Sequence, residues 1–453
     1  MMKLLRIMLE RGWLRLLAAA VLPCAALAVW AQVGGLPPLP EDTGEEPLLI
    51  EHYPEKPSMR PAVTIPVAPL GFSAPGAVYL FRRQSLISLD FLDENRLLFS
   101  FRAPGLLRRE GVDDADDKAR RIRAVLLELP EGKIESEAAW VVPDRARYLW
   151  MLKDGHFLLR DADGLEQGDA TLKTAPFLRP PGRMLWLEMD PAQQVIVTNS
   201  LEPGAVAQSA AEINSPAIGP DATAPNVQGP GVQQTLVVRT LRRETGELMR
   251  MMRVPWTAQD ADWPVNSDGY VETVKDIGTH WALSLNSFSG GSRIVGHVDS
   301  GCSPKSAFVS EGELLVATCD RAGNGRLEAL SARSGAELWE VKTAVNDMWP
   351  LLVMAADGSR FARETLVLKR PAIRYKRLLG ADDLRGQMVK VMDAADGKVK
   401  LEGPISPTLD GGGNIAISPS GRRVAILNDG VIEVFELPPS ARAIDVRSRE
   451  PGK

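Results

Sequence analysis

A strand–turn–strand unit that recurs along the chain constrains the fold more than any other feature. Its clearest copy is Arg326–Thr343, RLEALSARSGAELWEVKT. Leu327, Ala329 and Leu330 lie on a first strand, Ser334-Gly335 make the turn, and Leu338-Trp339-Glu340-Val341 begin the return strand. Long helical periodicity is nearly absent after Ala77, so a self-similar unit of this kind predicts a repeat architecture built from antiparallel hairpins.

Two classes of turn alternate. The first falls at Asp93-Glu94-Asn95, Lys153-Asp154-Gly155, Asp190-Pro191, Asp268-Gly269, Glu311-Gly312, Asp357-Gly358 and Pro419-Ser420-Gly421. These residues accept the dihedrals that tight turns require. The second class falls at Glu131-Gly132, Thr245-Gly246, Ser334-Gly335 and Asp396-Gly397, with looser cases near Gly164–Gly168 and Ser289–Gly291. Two hairpins make one four-stranded sheet, and the shortest spacings of the first class, about 36, 43 and 46 residues, match one propeller blade. Three longer intervals contain inserts: Ala103–Arg120, Leu201–Gln233 and Arg370–Gly386. The last unit, Asn414–Leu437, has room for only three strands before Pro438-Pro439. Ala77–Phe81 is the expected spare strand, because sharing one blade between both chain ends leaves no open edge in the ring. The reading is an all-β, seven-bladed β-propeller of four-stranded antiparallel blades over 76–438, with a flexible tail at 439–453.

Residues 1–31 have the layout of a secretory signal peptide. Lys3, Arg6, Arg11 and Arg15 form a basic n-region, Leu16–Trp30 an apolar stretch, and Val29-Trp30-Ala31 a small-residue exit before Gln32. An uncleaved anchor is the competing reading, and Cys24 follows Pro23, which a lipid-attachment motif does not favour. Residues 32–75 carry prolines at 37, 38, 40, 47, 54, 57, 61, 66, 69 and 75, which predicts an extended linker. Leu48-Leu49-Ile50 and Val63–Val67 offer it apolar contacts with the body. The formal net charge is −5, and the leader carries +3, so the remainder is at −8. That acidic balance argues against general nucleic-acid binding. Export permits disulfides, and Cys302 and Cys319 sit symmetrically about Ser310-Glu311, so a hairpin there would pair them. Two free buried thiols are the competing state.

At Leu327–Trp339 a family likeness becomes visible. The run LEALSARSGAELW resembles the repeat of quinoprotein-like β-propellers, whose pattern is roughly A-L-D-A-x-T-G-x-x-x-W. Val389–Lys398 and Val238–Leu248 are similar copies without the tryptophan. Ile415–Ala425, IAISPSGRRVA, is similar to the S-P-D-G hairpin of WD-type and YVTN-type propellers. The whole chain resembles uncharacterised bacterial secreted propeller proteins. The likeness implies the fold and a bacterial envelope location. Quinoprotein dehydrogenases also imply a calcium site, an Asp base and often adjacent cysteines. Here Trp339 alone stands at the repeat position and no two cysteines are adjacent, so no cofactor is expected.

Candidate chemistry is sparse. His52, His156, His280 and His297 have no metal-ligand spacing. Asp113, Asp114, Asp116 and Asp117 lack the alternation and turn glycine of a calcium loop and read as a solvated acidic run. Trp150, Trp186, Trp263 and Trp349 precede first-class turns, where blade-to-blade packing is the default use of a large aromatic. Trp256 and Trp263 lie within the loop Pro255–Pro264 and are candidates for partner binding, as is the basic run Arg370, Arg374, Tyr375, Lys376 and Arg377. The expected function is a non-catalytic, monomeric, periplasmic or secreted scaffold that binds a protein or polymer partner through loops. The alternative is an enzyme working in the central funnel, a quinone-dependent oxidoreductase or a metal-dependent hydrolase or lyase.

Overall fold

Near-continuous apolar runs such as Leu97-Leu98-Phe99 and Leu314-Leu315-Val316 mark strands buried on both faces, and such sheets are stable only when stacked against neighbours. The computed structural model describes residues 48–74, 86–102, 119–143, 147–161, 163–202, 235–255, 263–320, 323–371, 381–409 and 411–440. Residues from Leu49 onward form one compact unit. It is a seven-bladed β-propeller.

Strand β1 (Val63–Pro66) comes first in the chain but completes the last blade. Blade 1 is β2 (Ser88–Phe91), β3 (Arg96–Arg102), β4 (Ala119–Glu128) and β5 (Lys133–Pro143). Blade 2 is β6 (Leu149–Met151), β7 (Phe157–Arg160), β8 (Leu165–Gly168) and β9 (Thr174–Leu178). Blade 3 is β10 (Arg183–Met189), β11 (Val195–Leu201), β12 (Thr235–Arg242) and β13 (Leu248–Pro255). Blade 4 is β14 (Gly269–Lys275), β15 (His280–Ser287) and β16 (Ser292–Asp299). Its innermost strand is reduced to the bridge Val265↔Tyr270, because Pro264 cannot donate to a ladder. Blade 5 is β17 (Lys305–Ser310), β18 (Glu313–Cys319), β19 (Gly325–Ser331) and β20 (Glu337–Thr343). Blade 6 is β21 (Asp347–Met354), β22 (Arg360–Leu368), β23 (Leu384–Asp393) and β24 (Val399–Ile405). Blade 7 is β25 (Ile415–Ile417), β26 (Arg423–Asn428) and β27 (Val431–Glu436), with β1 outside β27. First strands meet around the axis: β2 touches β25 and β6, and β21 touches β25.

All seven first-class turns join the first two strands of a blade, as the sequence predicts. Most second-class turns join the last two; in blade 2 that turn is at 169–173, and Gly164 instead precedes β8. The unit Arg326–Thr343 is the β19–β20 hairpin. Gly335 there has φ 72°, and a Cβ would stand 2.0 Å from the Val295 carbonyl of blade 4, so only glycine fits. Trp339 crosses to blade 6. Its Nε1 donates to the Ala394 carbonyl at 2.8 Å, its ring stacks on Phe361, and Gly397 leaves space for it. Cys302 and Cys319 are joined as a disulfide across the β17–β18 hairpin, with a Cα–Cα distance of 5.7 Å.

The closing strand is Val63–Pro66, not Ala77–Phe81, which lies outside the described residues. Thr64 pairs with Glu433 and Ile65 with Ile432, and Pro66 ends an edge strand, where its missing N–H costs nothing. Upstream, the chain runs as a strap against blades 5 and 6. Val345 N donates to Leu49 O at 2.9 Å. Glu51 N donates to Asn346 Oδ1 at 2.6 Å, and the Glu51 carboxylate pairs with Lys390 Nζ at 2.6 Å. Ser58 N donates to Glu402 O on the edge of β24 at 2.7 Å. Met59 packs against the core between blades 6 and 7. Residues 49–66, within the stretch expected to be a linker, therefore supply strap and closure together.

Ile65 sits 5% exposed among Leu89, Phe99, Leu127 and Val434. Ile65→Ala should cost about 2–4 kcal/mol in denaturant unfolding. Exposed Thr64→Ala should cost less than about 0.5 kcal/mol. Equal effects would mean that this strand does not close the ring.

Candidate functional site

Antiparallel pairing sorts the connections onto two faces. The turns between first and second strands, and between third and fourth, lie on one face. The connections between second and third strands, and from blade to blade, lie on the other. All three inserts join strand ends that lie at the second face: 103–118 joins β3 to β4, 203–234 joins β11 to β12, and 369–383 joins β22 to β23. The Trp256 segment joins β13 to blade 4 on the same face. Trp256, Arg374, Tyr375, Lys376 and Arg377 lie outside the described residues, as do Asp113, Asp114, Asp116 and Asp117. Arg370 is exposed. Trp263 is partly buried and stacks on Tyr270 with ring centroids 5.0 Å apart, so much of its area serves the core between blades 3 and 4. Trp150 is buried between blades 2 and 3.

The first face is stitched from blade to blade. Glu311 of blade 5 accepts the Ala192 N–H of blade 3 at 2.9 Å and the Ser267 N–H of blade 4 at 2.8 Å. Gln193 of blade 3 accepts from Lys153 N at 2.7 Å and donates to Met151 O at 3.0 Å in blade 2. Asp357 N of blade 6 donates to Pro419 O of blade 7 at 2.9 Å, and Ser420 N of blade 7 donates to Glu94 of blade 1 at 2.7 Å. Arg360, fully buried, pairs with Asp393 at 2.9 Å and donates to the carbonyls of Gly421 and Pro438.

Three carboxyls inside the ring hold protons toward neutral pH. Burial pushes Asp190 up to about 6, and the neighbouring Glu311 charge adds to the shift. Burial alone would raise Glu311 too, but the N–H groups of Ser267 and Ala192 outweigh it and hold Glu311 below its ordinary value. Asp90, on innermost strand β2, is pushed to about 6 by burial, against the opposing effects of Ser88, whose Oγ donates at 2.5 Å, and of the Arg147 charge. Behind it, Tyr148 OH and Ser100 Oγ share a hydrogen bond of 2.8 Å. Glu364 lies beneath the insert-bearing face, 1% exposed, and burial pushes it to about 8. Gln387 Nε2 donates to Glu364 and also to Leu409 O, while Gln387 Oε1 accepts from Leu409 N at 2.8 Å. This pins the blade 6 to blade 7 connection to the buried acid. The sequence marks Asp190 only as a turn residue, and no motif marks Asp90 or Glu364. Among the described residues, no three His, Cys, Asp or Glu side chains group as a metal set.

The chain has WD40-like structural neighbours. The C-terminal WD40 domain of Sif2 is 12% identical, with a TM-score of 0.38 over 78% of this chain and 96% of that one. The WD40 domain of Toxoplasma gondii coronin is 8% identical, with a TM-score of 0.44 over 86% of this chain and 89% of that one. An acylaminoacyl peptidase from Pyrococcus horikoshii is 10% identical, with a TM-score of 0.44 over 82% of this chain and 55% of that one. No protein-family model and no curated protein matches the chain.

The buried Glu364 gives a signed pH dependence. Its folded value lies above the ordinary carboxylate value, so its stabilising contribution is complete below about 4.5 and is lost as pH rises through about 8. Glu364→Gln should remove up to about 1.4 kcal/mol of this loss per pH unit. Urea unfolding of both proteins at pH 5 and pH 8 checks it: the variant should gain on the parent at pH 8. A constant difference between them would show that Glu364 titrates normally.

Proposed function

We propose that this protein is a non-catalytic, monomeric, periplasmic or secreted scaffold that binds protein or polymer partners through the loops of its insert-bearing face. One observation carries the reading: the three long inserts and the nominated aromatic and basic residues all belong to connections of that face. The opposite face is tied turn to turn and holds the ring rigid beneath them. Rigid sheets that present variable loops are suited to recognition. The likeness of Leu327–Trp339 to the quinoprotein-like repeat and the signal layout of residues 1–31 support a bacterial envelope location, and the Cys302–Cys319 disulfide is compatible with export. No described helix is long and apolar enough to cross a membrane.

A crosslinked pull-down of the full chain from its native envelope, run beside deletions of 203–234 and 372–380, tests the reading. A reproducible partner lost on deleting one insert is the expected result. A partner retained by both deletions would place recognition elsewhere on the ring. Mass measurement of the exported protein should give a chain that begins at Gln32; retention of residues 1–31 would favour an anchor.

A further inference from the structure

The stitched face contains a cleft between blades 2 and 3 that the scaffold reading leaves unused. Its volume is about 270 Å³, and Leu152, Asp154, Gln167, Phe177, Arg243 and Glu244 line it. Both walls are fixed. The Lys153-Asp154 turn is held by Gln193, and Arg243 N donates to Gln194 O at 2.8 Å. The size lies below the ~300–1,000 Å³ of sites for drug-sized ligands. It suits one side chain of a larger partner.

The charges decide which side chain. Arg243 NH1 reaches Asp154 Oδ2 at 3.1 Å, and His156 Nδ1 lies 3.2 Å from Asp154 Oδ1. Burial alone would raise Asp154, but Arg243 and His156 hold it below its ordinary value, so it stays ionised. Arg243 is thus matched by Asp154, and among the described residues no cation is paired with Glu244. Gln167 adds an amide without a side-chain partner among the described residues, and Phe177 and Leu152 supply apolar surface. A cation with a planar, weakly hydrated head and an aliphatic stem matches this lining better than a compact ammonium does.

We propose that the cleft is a recognition site for an arginine side chain of a partner polypeptide, with the guanidinium against Phe177, bound by the Glu244 carboxylate and the Gln167 amide oxygen. The site is independent of the insert-bearing face, so the two readings stand or fall separately. Saturation-transfer NMR on the full chain tests it with N-acetyl-arginine amide, its uncharged isostere N-acetyl-citrulline amide, N-acetyl-lysine amide and N-acetyl-glutamate amide. The arginine probe should bind in the millimolar range, at least fivefold tighter than citrulline and tighter than lysine, and should weaken as salt rises. Glu244→Gln, in an exposed turn, should reduce arginine binding at least fivefold. No arginine binding, equal binding of citrulline, tighter binding of the glutamate probe, or an unchanged affinity in Glu244→Gln would each overturn the proposal.

Discussion

The apolar contacts of this ring sit between blades, so its stability depends on closing the interface between the last blade and the first. Ile65, Val67, Leu70 and Phe72 of the closing segment share one cluster with Leu89, Phe91 and Phe99 of blade 1 and with Ala425, Leu427, Ile432 and Val434 of blade 7. Phe72 packs edge-on against Phe101 at 5.5 Å and lies 5.4 Å from Phe99. Without β1, strand β27 would present an unpaired edge and the adjoining cluster would lose one wall. The contact joins residues more than three hundred positions apart in the chain, so closure fixes all seven blades at once.

Buried polar groups add a second constraint. Arg360 with Asp393, and Arg363 with Asp347 at 2.8 Å, are buried ion pairs. Such pairs contribute little net stability over apolar substitutes, but removal of one partner is costly. Both pairs lie within blade 6, where they tie β22 to β21 and β23, and Arg360 alone reaches blade 7, through the carbonyls of Gly421 and Pro438. Burial raises Asp347 as it does Asp90, Asp190 and Glu364, and protonation relieves the cost at each. Asp90 and Glu364 occupy different blade junctions, and Asp190 stands at the turn that Glu311 ties to blades 4 and 5. Rising pH thus loads the ring with buried charge at separate places.

The turns were legible in the sequence because Asp, Gly and Pro act there through local dihedral preferences. Seven turns gave seven blades. The closing strand was obscured by prolines on both sides of Val63-Thr64-Ile65, which mask a short alternating strand that an edge position tolerates. The inner strand of blade 4 was similarly overestimated, since Pro264 leaves only a bridge. The raised acids could not be read at all. Glu364 looks like any acid in RFARETLVL until Gln387, Leu409 and Gly412 enclose it from distant parts of the chain. Trp263 sits where its position before the turn predicts core packing, which bears on only part of its proposed role in binding.

The placement of the inserts follows from the stitching. Turns between first and second strands touch neighbouring blades through Glu94, Gln193, Glu311 and Asp357, so an added residue would break a contact that sets blade spacing. Among the described residues, connections between second and third strands carry no such repeated bond. There, doubling a loop costs only about 0.6 kcal/mol in closure entropy. One face therefore preserves the geometry of the ring, while the other can accept new sequence at small cost. The cleft at Asp154 belongs to the conserving side: its walls are fixed by the same turn-to-turn bonds. Recognition there would select by charge and shape, whereas recognition by the inserts would have to meet the entropy of ordering them.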